Sequence, residues 1–220
     1  MKEANLLFND KGKPESITKA CKLYAEFLST HENNFEACWK LSRAISFLGE
    51  FYPEHAWKDM YSSPLKYAEK SVQIEPLRPE GHLWLGIMLG RDGQDKGIMK
   101  SLKNLSRMKI ALQISIDIDK TLENGLALRA MGRLYFTLPK IVGGNYEISL
   151  RYLYQSLEIV KNPITIYYLS DTYQAMGHHA KSNEYLEDLI NLDNSTNLPF
   201  ETNYYKEKAR KKISELNLAN

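Results

Sequence analysis

Adjacent His178 and His179 are the first residues to test for chemistry, because imidazole pairs are common zinc ligands. A zinc-binding helix places its two histidines one turn apart on a single face. Neighbouring side chains on a helix diverge, and Glu184 is not at the spacing of the accompanying base. The pair therefore reads as a polar turn. Gly90, Gly93 and Gly97 flank Arg91 and Lys96, but their order matches neither a Walker loop nor a dinucleotide fingerprint, and helical rather than strand patterns surround them. That stretch reads as an inter-helix turn. Asp117 and Asp119 stand too close along one helix to converge on a substrate atom, so they read as a solvated face. Lys206 to Lys212, with Glu207 inside it, reads as a soluble capping face rather than a nucleic-acid patch. No nucleophile stands at a recognisable distance from a base. The expectation is a non-enzymatic protein with no cofactor and no metal.

The composition narrows the partners. Of 220 residues, 43% are apolar and 25% charged, which is globular rather than disordered. With 29 basic against 27 acidic side chains the net charge is +2, so no global field draws nucleic acid or membrane. No run of about 18 apolar residues is present to span a bilayer. The opening Met-Lys-Glu-Ala-Asn leads into an amphipathic pattern without the apolar core of a signal peptide. The expected compartment is cytoplasmic, or periplasmic or lipid-anchored if an export signal has been removed. Cys21 and Cys38 each fall in a helical pattern and are expected to be buried and free.

The elements that would position any binding residue are helices in pairs. Between Pro163 and Asp193, Ile166, Leu169, Ser170 and Tyr173 recur at helical intervals, Gly177 stops that helix, and Ser182, Leu186 and Leu189 resume the interval. With Ile166 as position 4, these residues fall on the spacing of the 34-residue tetratricopeptide (TPR) motif. Ser170 and Ser182 stand where glycine and alanine are usual, and both are small enough for two helices to cross closely. The register recurs at Cys38, Leu41, Ser42, Ile45 and Gly49, at Leu85-Gly86, and at Leu128, Met131, Gly132 and Tyr135. The expected units are 2–33, 35–77, 79–123, 125–161 and 163–194, followed by a capping helix over about 200–218. An aromatic insertion (Phe51, Tyr52, Trp57, Tyr61) interrupts the second unit, and Ser63-Pro64 reopens it. Ser16 is the expected cap of the second helix. Leu102, Leu105, Ile110, Ile114 and Ile118 recur along a helix from about Asp95 to Leu122, which is expected to stay amphipathic throughout. The fold expected is all-α: a single right-handed superhelical TPR solenoid of about five helix pairs, with insertions and a C-terminal capping helix.

Beyond the general TPR spacing, the order of parts resembles the T component of tripartite ATP-independent periplasmic (TRAP) transporters and the regulator-of-microtubule-dynamics group. The stretches that carry the resemblance are Pro79 to Arg91 (PEGHLWLGIMLGR), the long helix after it, and Gly132-Arg133-Leu-Tyr-Phe-Thr-Leu-Pro-Lys-Ile-Val-Gly-Gly144 leading into Tyr146-Glu-Ile-Ser-Leu-Arg. It covers about Ser63 to Leu216. For the transporter group it implies a lipid-anchored helper to a solute-binding protein.

Stacked repeats form a concave face from the first helix of each unit. The inward positions select Trp39, Arg43 and Phe47, then Leu83, Ile87 and Arg91, then Arg129, Arg133 and Phe136, then Tyr167, Asp171 and Gln174. Leu83, Ile87 and Phe136 are equally explained as core. Arginines alternating with large apolar groups suit an amphipathic partner that carries a carboxylate. The carboxylate clamp of chaperone-binding TPR proteins is not reproduced: Asn5 and Asn9 could match it, but Lys40 stands where another asparagine is expected. The function expected is an adaptor that binds a peptide or protein partner, in its specific form a TRAP solute-binding protein. The alternative is a carrier that encloses a small apolar or carboxylate-bearing ligand.

Overall fold

The computed structural model describes residues 1–54, 64–96, 98–193 and 198–218. The later part of the expected aromatic insertion, with Trp57 and Tyr61, lies outside the described residues, as do Ser63 and Gly97. Among the described residues there are α-helices, one short 3-10 turn and no strand. The helices are α1 (Lys2–Asn9), α2 (Pro14–Thr30), α3 (Phe35–Phe51), α4 (Pro64–Ile74), α5 (Pro79–Lys96), α6 (Ile98–Asp119), α7 (Leu122–Thr137), α8 (Tyr146–Ile159), α9 (Pro163–Ala175), α10 (His179–Ile190) and α11 (Pro199–Leu218).

Local chemistry sets many of the boundaries. Asn34, Asn145 and Asn162 cap α3, α8 and α9, their side-chain oxygens accepting from the N–H groups of Ala37, Ile148 and Ile164 at 2.9, 3.0 and 2.9 Å. Each such cap contributes about 1 kcal/mol. Proline opens α2 and α9, where its missing N–H costs nothing. Ser16, expected as a cap, lies inside α2 instead and donates to Asp10 Oδ2 at 3.0 Å. Pro14 already starts the helix, so Ser16 falls within its first turn.

The chain forms two compact units, Met1–Lys120 and Thr121–Asn220. In the first, α1 to α6 pack in sequence order, each on the next, and α3 also meets α5. In the second, α7 to α11 do the same, and α9 also meets α7 and α11. First helices of successive pairs touching one another is the packing a repeat requires. Tyr24, Leu41, Ile45, Leu48, Leu83 and Leu112 fill the first core; Leu128, Leu153, Ile166, Leu169, Leu186 and Tyr205 fill the second. Cys21 and Cys38 are free and buried, and burial pushes their thiols up to about 12 and about 11, so both stay protonated and act as small apolar groups.

The close crossings fall where the register places small residues. A Cβ on Gly86 would lie 2.6 Å from Leu112 Cγ, and one on Gly132 would lie 2.7 Å from Leu153 Cγ. Ser170 and Ser182, both fully buried, share a hydrogen bond of 3.0 Å between α9 and α10.

Two expectations shift. First, α5 runs on to Lys96, so Gly90 is inside a helix and not in a turn; a Cβ there would meet only the flexible end of Met108. Second, α6 buries Ala111, Leu112 and Ser115 but leaves Ile110 60% and Ile118 45% exposed. The close approach of α5 and α6 at Gly86 turns the face of Ala111, Leu112 and Ser115 inward and leaves Ile110 and Ile118 on the outer side. The opening of α7 is irregular: Glu123, Asn124 and Gly125 have φ of 47°, 58° and 72°, a left-handed turn before the regular helix.

Candidate binding faces

In the first unit, α3 supplies Trp39, Arg43 and Phe47, and α1 supplies Phe8. The Arg43 guanidinium lies 4.2 Å from the Phe8 ring centroid and 4.9 Å from that of Trp39. Phe8 meets Phe47 edge to face at 5.8 Å. Trp39 and Phe47 are 8% and 9% exposed, so these rings belong to the core and present little more than edges. Arg43 stays half-buried and also hydrogen-bonds the hydroxyl of Tyr24, whose proton goes to Asn5 Oδ1 at 2.7 Å. Arg91 on α5 is held by α3: Nε donates to Ser46 Oγ at 3.0 Å and Nη2 pairs with Glu50 at 3.1 Å. Its role there is to tie two first helices together. Leu83 is fully buried, and Ile87 is half-buried.

The second unit brings more of the expected residues together. Arg133 on α7 donates from Nη1 to Asp171 Oδ2 on α9 at 2.9 Å, and Lys212 on α11 donates to the other carboxylate oxygen at 2.8 Å. Three successive first-type helices are thus linked by one carboxylate between two cations. The Arg133 guanidinium also lies 4.6 Å from the rings of both Phe136 and Tyr168. Tyr167 packs edge to face on Tyr205 at 5.3 Å. Burial, reinforced by the Asp171 charge, pushes the Tyr167 phenol up to about 12, so it remains a hydrogen-bond donor at neutral pH. Gln174, one turn beyond Asp171, keeps its side-chain oxygen buried without a partner. Lys208 places its ammonium 5.1, 5.5 and 5.2 Å from the rings of Tyr167, Tyr204 and Tyr205. Among the described residues it contacts aromatic faces and no carboxylate.

Arg129 differs from the expectation of an open groove residue. It is 5% exposed, and its Nη1 donates to the carbonyl of Asn124 at 3.2 Å, pinning the left-handed turn. Burial holds its guanidinium below the ordinary arginine value, against the smaller opposing influence of Tyr168, Tyr205, Glu123 and Glu201. Its role there is to fix the turn.

Sequence reasoning missed Lys208 and Lys212, because α11 carries charge on most of its surface. The available signal was the spacing Tyr204, Lys208, Lys212, one stripe of a helix whose other positions Thr202, Tyr205 and Ala209 are buried.

The fold and these faces define the class: a TPR-type helical repeat protein, the architecture of protein-interaction scaffolds. A thermophilic TPR protein of Thermus thermophilus, TTC0263, superimposes with a TM-score of 0.64 at 16% identity, over 90% of this chain and 91% of that one. A structure of MamA superimposes at 0.50 and 15% identity, over 93% of this chain and 96% of that one. No curated protein matches the sequence. The chain belongs to the family of Regulator of microtubule dynamics protein 1-3, whose profile matches residues 1–142. No helix among the described residues is long and apolar enough to cross a membrane.

Proposed function

We propose that the chain is a non-enzymatic adaptor, a single repeat domain whose α7, α9 and α11 face holds a protein or peptide partner through a carboxylate of that partner. The observation that carries this reading is that Asp171 alone stands between Arg133 and Lys212, while Lys208, over the neighbouring ring of Tyr167, contacts aromatic faces and no carboxylate among the described residues. A partner carboxylate arriving beside Lys208 and Arg133 would exchange water for charge-assisted hydrogen bonds, each contributing roughly 1.5–3 kcal/mol. The tyrosine rings of 167 and 204 supply apolar contact next to them. The specific form suggested by the resemblance is a TRAP-type solute-binding protein as partner.

The carrier alternative needs an enclosed cavity. The depression beside the turn between α9 and α10 is open to solvent, so it does not serve that reading.

The test uses fluorescence anisotropy with a labelled glutamate-rich peptide containing one aromatic residue, and a lysine-rich peptide of equal length as control. The acidic peptide should bind, and more weakly as salt rises, while the basic one should not. Replacing Arg133→Ala and Lys208→Ala together should weaken binding more than about tenfold, since the loss of even one such bond exceeds about 1.4 kcal/mol. Equal binding by both peptides would end the reading. A purified TRAP-type solute-binding protein, titrated in the same way, tests the specific form.

A further inference from the structure

Asp171 already makes the contacts that an acidic partner would seek. Its Oδ2 accepts from Arg133 Nη1 at 2.9 Å and its Oδ1 from Lys212 Nζ at 2.8 Å, so each oxygen carries a charge-assisted bond. The side chains of Asp171 and Lys212 are each only 16% exposed, and the same ammonium also donates to Ser170 Oγ at 3.2 Å. This carboxylate is anchored at both ends and largely shielded from water. Turning it away would break two ion pairs and leave two half-buried cations without a counter-charge, so an arriving anion does not displace it.

What remains for a partner is the rest of the Arg133 donor fork and the ammonium of Lys208. Among the described residues Arg133 commits one N–H, to Asp171, and it is the more open of the two paired cations, at 36% exposed. Lys208 stands over the rings of Tyr167, Tyr204 and Tyr205. A partner's anion at this place shares the Arg133 guanidinium with Asp171, like charge beside like charge. Clusters of arginine and lysine without such a resident acid are the usual receptors for phosphate. With Asp171 in place, every unit of charge on the ligand meets an opposing unit on the protein. A phosphate group, carrying about two charges, is therefore opposed about twice as strongly as a carboxylate.

We propose that Asp171 is a built-in competitor of this face. It stays on its two cations when a partner binds, weakens the hold on any incoming anion, and sets the site to take a singly charged carboxylate rather than a phosphate. The inference rests on the adaptor reading above and adds the selectivity of the same site.

Fluorescence anisotropy of Asp171→Asn tests it, with the glutamate-rich peptide and a copy in which phosphoserine replaces the glutamate next to the aromatic residue. Asparagine keeps the size of the side chain and still accepts one hydrogen bond. Asp171→Ser removes the charge in a second way, and far-UV circular dichroism checks the fold of both. Loss of this partly exposed like charge is expected to tighten the glutamate peptide about two- to fivefold. The phosphopeptide should gain more, by up to the square of that factor, and both gains should shrink as salt rises. Folded variants that bind the glutamate peptide no more tightly than wild type would show that Asp171 only positions its cations. Equal gains for the two peptides would remove the selectivity. Either result overturns the proposal while wild-type binding of the acidic peptide still stands. A wild-type chain that treats acidic and basic peptides alike would instead end the adaptor reading, and this inference with it.

Discussion

Replacing the crossing glycines with leucine strikes the contacts on which the repeat register depends. A first side-chain carbon on Gly86 would lie 2.6 Å from Leu112 Cγ and 2.7 Å from its Cδ2, and one on Gly132 would lie 2.7 Å from Leu153 Cγ and 3.1 Å from the Ser149 carbonyl. Leu112 and Leu153 are fully buried and the clash is at their branch points, so relief requires the helices themselves to part. Overpacking of this kind costs about 1–3 kcal/mol, and a leucine adds atoms beyond the first clash, which places Gly86→Leu and Gly132→Leu near or above the upper figure. Leucine is a better helix former than glycine by up to about 1 kcal/mol, which offsets only part of that cost. Gly90→Ala is the internal control. Its new methyl meets only the end of the Met108 side chain, Cε at 3.1 Å and Sδ at 3.3 Å, which can move aside, so the helix propensity gain of about 0.5–1 kcal/mol should dominate. Urea unfolding followed by far-UV circular dichroism reads all three. The expected order is Gly90→Ala above wild type and both leucine variants below it by about 2 kcal/mol or more. Leucine variants with unchanged midpoints would refute the close crossing.

Arg129→Ala should destabilise the second unit by about 1–3 kcal/mol, since it removes a buried side chain and leaves the Asn124 carbonyl of the left-handed turn without its donor; chemical denaturation checks it. Glu123→Gly should stabilise by roughly 0.5–1 kcal/mol, because the left-handed conformation at φ 47° costs a non-glycine residue about 1–2 kcal/mol and the more flexible unfolded chain returns only part of that. Glu80 is pushed up by burial, but its two hydrogen bonds from Arg78, at 2.6 and 3.1 Å, outweigh that and hold it below the ordinary glutamate value. A carboxyl depressed in the folded state stabilises above the unfolded value, near pH ~4, and loses that contribution as pH falls through the folded value. Glu80→Gln should therefore cost up to about 1 kcal/mol at neutral pH, Arg78 being partly exposed, and progressively less below pH ~4. Paired denaturation curves at several pH values measure the difference.

The helix pairs were legible because two properties coincide in the sequence: apolar residues at helical spacing, and a small residue wherever two helices cross. Gly86, Gly132, Ser170 and Ser182 illustrate the second property, and the structure uses each in a close contact. The face of α6 was not legible. Ile110 and Leu112 are equally apolar, and only the three-dimensional fit to Gly86 decides that Leu112 turns inward while Ile110 stays out. The cluster around Asp171 was half legible. Repeat positions select Arg133, Tyr167 and Asp171, which the structure brings together, but the cations beside them come from α11, which lies outside the repeat register. Arg129 was misplaced for the converse reason: a repeat position gives direction without burial, and the left-handed turn that supplies its carbonyl partner leaves no periodic trace.

The central claim is that the face of α7, α9 and α11 receives a partner's carboxylate, and residue-by-residue chemical-shift mapping tests it most directly. Titration of the isotope-labelled chain with the glutamate-rich peptide should move the resonances of Arg133, Tyr167, Asp171, Lys208 and Lys212 together along one saturation curve. The Tyr24 and Leu48 signals of the first unit's core should stay in place. Shifts spread evenly over both units, or confined to residues away from Asp171 and Lys208, would contradict it.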